Sequence, residues 1–115
     1  MKKFALFVFN GDPMCFIHVL LNGLDLHSKG HYVRIVLEGA AVKLIPELNR
    51  NEHPLHGLWV KSREADLVAG ACQACSHNLG TLDAAREQGL PLLADMKGHP
   101  GMGHFIAEGF QILTF

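Results

Sequence analysis

Five short apolar runs alternate along the chain with segments of helical periodicity. The first run, residues 4–9, is apolar at consecutive positions, as in a strand whose two faces are both buried in a parallel sheet. The positions of Ile17, Leu20 and Leu24 then give the next segment one apolar helical face. The pattern predicts five strands separated by helices. The later runs span 32–37, 67–72, 91–94 and 110–115.

Capping and breaking residues mark where the helices begin and end. Asp12 and Pro13 supply an N-cap and a first-turn proline to the first helix, and Gly30 ends it. The same helix-ending glycine recurs as Gly89 and Gly109, each followed by an apolar run. This βαβ order predicts a single domain over 1–115, an α/β three-layer sandwich with a five-stranded, mainly parallel sheet. The predicted helices cover 13–29, 42–48, 55–65 and 81–89, with a short helical turn at 104–108.

Composition narrows the functional classes. With 115 residues, 49% hydrophobic and 18% charged, the chain is long enough for one core. A formal net charge of −1 gives no electrostatic attraction to nucleic acid or to an anionic membrane. The opening apolar run is too short for a signal peptide, and no later run reaches the length of a membrane span. Three cysteines form no disulfide framework, so we expect a cytoplasmic protein.

The most informative motif is the cysteine pair at the end of the third apolar run. Cys72 ends this run and Cys75 follows one helical turn later. Backbone N–H groups at a strand end that leads into a helix favour a thiolate, so we expect the pKa of Cys72 to be lowered. Cys72 is then the candidate nucleophile and Cys75 a resolving thiol that can form a reversible disulfide with it. Both are the candidate catalytic residues, and the alternative is that they are small buried hydrophobes.

A second interpretation of the cysteine pair is ligand binding. His77, His99 or His104 could complete a metal site with it, and Met102 adds a soft donor suited to Cu(I). The glycine-rich loop 98–104 is expected at the same sheet edge, where its N–H groups could hold a small anion. The loop matches neither the P-loop nor the dinucleotide pattern, so no nucleotide is expected. We assign no metal or other cofactor from the sequence.

Other classical catalytic groups give weaker signals. No Gly-x-Ser-x-Gly motif is present, which argues against acyl transfer on a serine. Asp12, Glu38 and Asp95 end or follow predicted strands, so one of them could serve as a base. We expect Asp12 to be an N-cap and the other two to be turn residues.

These residues together resemble the DsrE/DsrF-like family of small cytoplasmic proteins, which includes the sulfur-relay proteins of the TusBCD complex. The resemblance covers the chain in element order. Its sharpest point is a cysteine that ends the third strand with a glycine eight positions later, here Cys72 and Gly80. One branch of the family has a second cysteine where this chain has Cys75. The opening segment 10–13 and the late Gly109-Phe110 pair are also similar.

The resemblance implies a function and a set of partners. Cys72 would accept a persulfide sulfur from a donor protein and pass it to an acceptor, as a sulfur carrier or sulfurtransferase without a cofactor. The alternative is a non-enzymatic module that binds a metal or a small anion. Family members form trimers or hexamers, so we expect a homo-oligomer, with no membrane or nucleic-acid partner. Seven apolar residues are candidates for burial against a neighbouring chain: Leu55, Leu58, Trp59, Phe105, Phe110, Leu113 and Phe115.

Overall fold

A five-stranded sheet forms the centre of the computed structural model, which describes all 115 residues. Every neighbouring pair of strands is parallel, and the order across the sheet is β4-β3-β2-β1-β5. The strands are β1 (Lys3–Val8), β2 (Tyr32–Leu37), β3 (Val68–Cys72), β4 (Leu92–Leu93) and β5 (Gln111–Thr114). The helices are α1 (Pro13–Ser28), α2 (Ile45–Leu48), α3 (His56–Glu64), α4 (Gln73–Asn78), α5 (Leu82–Glu87) and α6 (Gly103–Ala107), with a 3₁₀ helix (Gly39–Leu44) before α2. The predicted α/β three-layer class is confirmed.

The strand order explains why the two helical layers differ in thickness. Strands β2, β3 and β4 follow one another on the same side of β1. Right-handed crossovers therefore place the helices that connect them on one face of the sheet. The chain then returns to the far side of β1, which puts α6 on the opposite face. Accordingly, Leu6 and Val8 belong to a core of 20 buried residues under the thick layer. Ala5 and Phe7 point the other way, into a cluster of six with Phe105 of α6.

Local signals set the main boundaries as the sequence predicts. The Asp12 carboxylate accepts the Met14 N–H at 2.9 Å and caps α1, and Gly30 follows the helix with a φ of +88°. The fourth strand is shorter than expected and pairs only with the last two residues of β3. Gly70 permits this pairing, because a Cβ there would collide with the carbonyl oxygen of Pro91. None of the helices has the length and apolar character needed to span a bilayer.

One helix, α4, was predicted from the sequence only as a helical turn between Cys72 and Cys75. Its six residues are mostly polar and show no apolar repeat, and the residue that caps it is Cys72 instead of Ser, Thr, Asp or Asn. The helix begins directly at the end of β3, with no intervening loop. The cysteine pair therefore lies across a strand-to-helix junction.

The expectation that the surplus apolar residues await a neighbouring chain is wrong for most of them. Trp59 is completely buried in the core of its own chain, and Leu55 is 5% exposed. Phe105 of α6 and Phe110 are buried in one cluster with Ala5 and Phe7 of the sheet. Leu113, at 39% exposure, is the member of the set that projects most into solvent.

Candidate functional site

Cys72 is the last residue of β3 and the N-cap of α4 at once. All five residues of β3 are buried, and the side chain of Cys72 has no exposed surface. Its Sγ accepts the backbone N–H of Cys75 at 3.3 Å, which takes the place of the usual capping oxygen. The predicted helical turn between the two cysteines is therefore present.

A tight hairpin brings His99 to the same place. Met96 and His99 exchange two backbone hydrogen bonds, of 2.7 and 3.0 Å. The two residues between them, Lys97 and Gly98, have φ values of 51° and 89°, as in a type I′ turn. The Gly98 carbonyl accepts the N–H of Ala74 at 2.8 Å, which attaches the hairpin to the first turn of α4. The His99 ring is thereby held over the cysteine pair.

The result is a cluster of two thiols and one imidazole, which we call the Cys72–Cys75–His99 cluster. The Nδ1 atom of His99 lies 3.1 Å from the Cys72 Sγ and 3.7 Å from the Cys75 Sγ. All three atoms lie within 4.8 Å of one another. Cys75 and His99 are half-buried, whereas Cys72 is completely buried. One ring nitrogen can therefore exchange a proton with either sulfur.

The electrostatics of Cys72 differ from the sequence expectation. Burial raises the pKa of the Cys72 thiol to about 12, and the nearby Cys75 thiol adds to the increase. The Cys75 N–H does favour the thiolate, as predicted, but this one long hydrogen bond does not offset the loss of solvent. The prediction of a lowered pKa is therefore wrong. In this arrangement Cys72 is a neutral thiol at neutral pH.

Of the three carboxylates considered from the sequence, only Glu38 lies near the cluster. It follows β2, beside β3, and is 8% exposed. Burial raises the pKa of the Glu38 carboxyl, and interaction with His99 offsets part of that increase. Its position directly after a strand made it a candidate base in the sequence, although we expected it to be a turn residue. Asp12 caps α1 as expected, and Asp95 holds its loop by accepting the Gly101 N–H at 3.1 Å.

The other predicted metal ligands lie outside the cluster. His104 faces the carboxylate of Asp95 at 3.8 Å. His77 is exposed on α4, and Met102 packs against the apolar cluster beneath α6. The structure thus selects His99 alone from the candidates that the sequence offered to complete a site with the cysteine pair.

The sequence of this chain is related to archaeal proteins. No protein-family model matches it. The uncharacterized protein MJ0733 of Methanocaldococcus jannaschii is 30% identical over 97 residues, which are 84% of this chain and 77% of that protein. An uncharacterized protein of Archaeoglobus fulgidus is 40% identical over 40 residues, which are 35% of this chain and 66% of that protein.

A solved structure has the same fold. It is that of the conserved protein of unknown function BT1422 from Bacteroides thetaiotaomicron, with a TM-score of 0.68 and 20% sequence identity. The match covers 99% of this chain and 95% of that one, so the fold is shared over nearly the full length. The 30% identity to MJ0733, over 77% of that protein, shows that this chain belongs to the same protein family as MJ0733.

Proposed function

We propose that this protein is a sulfur carrier of the DsrE/DsrF-like kind, in which Cys72 holds a persulfide sulfur between a donor and an acceptor protein. The observation that carries the proposal is the contact of both cysteine sulfurs with one imidazole nitrogen, at 3.1 and 3.7 Å. A persulfide on the buried Cys72 is shielded from water and from small thiols. The half-buried Cys75 is the thiol that a partner can reach.

Sulfur enters through Cys75. The Cys75 thiolate attacks the terminal sulfur of a donor persulfide, R–S–SH. The donor S–S bond breaks, R–S⁻ leaves, and Cys75 becomes the persulfide. Cys72 then attacks the same terminal sulfur, so that its persulfide forms as the bond to Cys75 breaks. Each transfer exchanges one S–S bond for another, and neither requires an oxidant or a reductant.

His99 supplies the proton transfer that the second step needs. Because the pKa of the Cys72 thiol is about 12, it must lose its proton as it attacks. Its sulfur lies 3.1 Å from Nδ1 of His99, which also reaches the leaving sulfur of Cys75. The imidazole takes the proton from one sulfur and delivers it to the other. Delivery to an acceptor protein follows the same steps in reverse.

Persulfide loading tests the proposal. Reduced, metal-free protein is incubated with a cysteine desulfurase and cysteine, followed by intact-mass analysis. We expect the wild type to gain the mass of one sulfur atom and to retain it through a brief cyanide treatment, which strips accessible persulfides. Cys72→Ser should lose the sulfur to cyanide, because it stops on the half-buried Cys75. Cys75→Ser should load slowly, since the entry thiol is missing.

The matched control is Cys15→Ser, which removes the exposed cysteine of α1. It should load and retain sulfur like the wild type. Retention of sulfur by Cys72→Ser through the cyanide treatment would overturn the assignment, as would an adduct that maps to Cys15 in the wild type.

We also propose a cytoplasmic homo-oligomer, a trimer or a hexamer. The face of the sheet that carries α6 is thinly covered, and Tyr32 at its edge is 46% exposed. Leu113 of the edge strand β5 pairs with Leu6, so it points to the opposite face of the sheet and adds exposed apolar surface there. Light scattering should give a mass of three or six chains, and Leu113→Asp should shift it downward if β5 lies in the contact. A mass of one chain for the wild type contradicts the oligomer.

A further inference from the structure

We propose that the Cys72–Cys75–His99 cluster is also a binding site for a thiophilic transition-metal ion, zinc(II) or copper(I). Two thiolate sulfurs and an imidazole nitrogen are the donors that these ions prefer over magnesium or calcium. The donor atoms converge within 4.8 Å from three different elements: the end of β3, the first turn of α4 and the hairpin that follows β4. Metal binding uses the same two sulfurs as the proposed sulfur transfer, but it requires neither a sulfur donor nor a sulfur acceptor.

The two sulfur–nitrogen distances are close to what a tetrahedral ion requires, and the two sulfurs lie within 4.8 Å of each other. With Zn–S near 2.3 Å and Zn–N near 2.0–2.1 Å, a sulfur and a nitrogen bound tetrahedrally to one zinc ion lie about 3.6 Å apart, and two sulfurs about 3.8 Å apart. The 3.7 Å between the Cys75 Sγ and the His99 Nδ1 is close to the sulfur–nitrogen value. The 3.1 Å between the Cys72 Sγ and the same nitrogen is that of a hydrogen bond, which opens by roughly half an ångström when an ion replaces the proton.

The backbone around the cluster is already fixed in place. Cys72 lies on a buried strand, and its Sγ accepts the Cys75 N–H. His99 is held by the paired hydrogen bonds with Met96, and the hairpin by the bond from the Ala74 N–H to the Gly98 carbonyl. Ligands held by rigid elements lose little entropy when the ion binds. Only rotations of side chains are needed to close the site.

Three protein ligands leave the coordination shell incomplete. His104 and His77 lie outside the cluster, and Glu38 interacts with His99 but is not among the clustered donors. Zinc sites with three protein ligands keep a position for water or another molecule, and copper(I) accepts few ligands when they are thiolates. We infer an exchangeable ion that a small thiol or a partner protein can reach through the half-buried side of Cys75.

Metal titration tests this inference. Protein purified without a histidine tag is reduced and stripped with a chelator, then titrated with cobalt(II) as a spectroscopic substitute for zinc. We expect one ion per chain, a thiolate-to-cobalt charge-transfer band and visible bands of tetrahedral intensity, all removed by zinc. A separate anaerobic titration against a coloured copper(I) chelator decides whether copper is the tighter ion.

Two variants and two controls locate the ion. Cys75→Ser and His99→Ala each remove a proposed ligand at a half-buried position. Each should weaken metal binding at least about 100-fold, which is more than the loss caused by changing a group that contacts only the ligands. His104→Ala, in the same region of the chain, and Cys15→Ser should bind like the wild type. Circular dichroism confirms that each variant is folded.

The inference is overturned if the wild type binds cobalt, zinc and copper(I) no more tightly than Cys75→Ser and His99→Ala do. Its failure is distinguishable from that of the sulfur-carrier proposal, because sulfur loading is measured on metal-free protein and metal binding without a sulfur donor. If both hold, saturating zinc should prevent sulfur loading, since the same two sulfurs are engaged.

Discussion

Two strand-to-helix junctions of this protein have the same plan and different chemistry. At the first, Asp12 caps α1 and Cys15 follows three residues later; at the second, Cys72 caps α4 and Cys75 follows three residues later. The Asp12 carboxylate accepts the Met14 N–H at 2.9 Å, and the Cys72 sulfur accepts the Cys75 N–H at 3.3 Å. Each junction thus places a cysteine in the first turn of a helix.

The two junctions differ in how deeply the rest of the chain buries them. Asp12 and Cys15 are exposed at the start of a 16-residue helix. Cys72 is buried, α4 has six residues, and the hairpin of residues 96–99 lies over the cap. Sulfur is a weak hydrogen-bond acceptor, so Cys72 is a poor choice for capping alone. A cysteine near a helix start is therefore no functional signal by itself; burial and the contact with His99 are what distinguish the second junction.

The sharpest test of this comparison is the rate at which each cysteine of the reduced, metal-free protein reacts with iodoacetamide. With a pKa of about 12, Cys72 has roughly 3,000-fold less thiolate near neutral pH than an ordinary cysteine, and burial slows its reaction further. The rate at Cys72 should still rise about tenfold per unit at pH 10, where an ordinary thiol with a pKa near 8.5 has levelled off. Peptide mass spectrometry follows each site.

Cys15 is the internal reference, because it has the same place in its helix as Cys75 and lies in solvent. It should be modified long before Cys72. If the two react at similar rates near neutral pH, the hairpin does not cover Cys72 in solution, and the difference between the junctions disappears.

The sequence predicted the strands at both junctions and the cysteine pair at the second. It did not predict that His99 contacts this pair. Consecutive apolar residues located all five strands to within two residues at each end, because strands buried on both faces have that signature. The cysteine pair was evident from its spacing. His99 was one candidate among three, since its approach depends on a type I′ turn at Lys97 and Gly98 that apolar periodicity does not reveal. The raised pKa of Cys72 results from burial under the same hairpin, so the sequence did not predict it either.

Exchanging the caps should affect stability very differently at the two junctions. Asp12→Cys replaces an exposed capping carboxylate and should cost about 1 kcal/mol of unfolding free energy. Cys72→Asp introduces a better capping group, yet it buries a carboxylate close to the Glu38 carboxyl, and the half-buried His99 offsets only part of the desolvation cost, so the variant should lose about 3 kcal/mol. Urea denaturation measures both values.

Cys72→Ser is the control for the cap itself, because its hydroxyl keeps the acceptor and adds no charge. Its stability should lie within about 1 kcal/mol of the wild type. A stabilised Cys72→Asp variant would show that the second junction is an ordinary exposed cap like the first.

A smaller effect than that of Cys72→Asp is expected at the turn that brings His99 to the cysteine pair. Gly98 has a φ of +89°, and an added Cβ would lie 3.3 Å from the Cβ of Ala74, so Gly98→Ala should cost about 1–2 kcal/mol. The strain can be relieved by moving the hairpin away from α4, which exposes Cys72. Alkylation of Cys72 should therefore accelerate even where the protein remains folded. Gly103→Ala, at the start of α6, meets no atom within 4 Å and should neither lower stability nor accelerate alkylation. Equal behaviour of the two variants would mean that the hairpin is not what makes the second junction differ from the first.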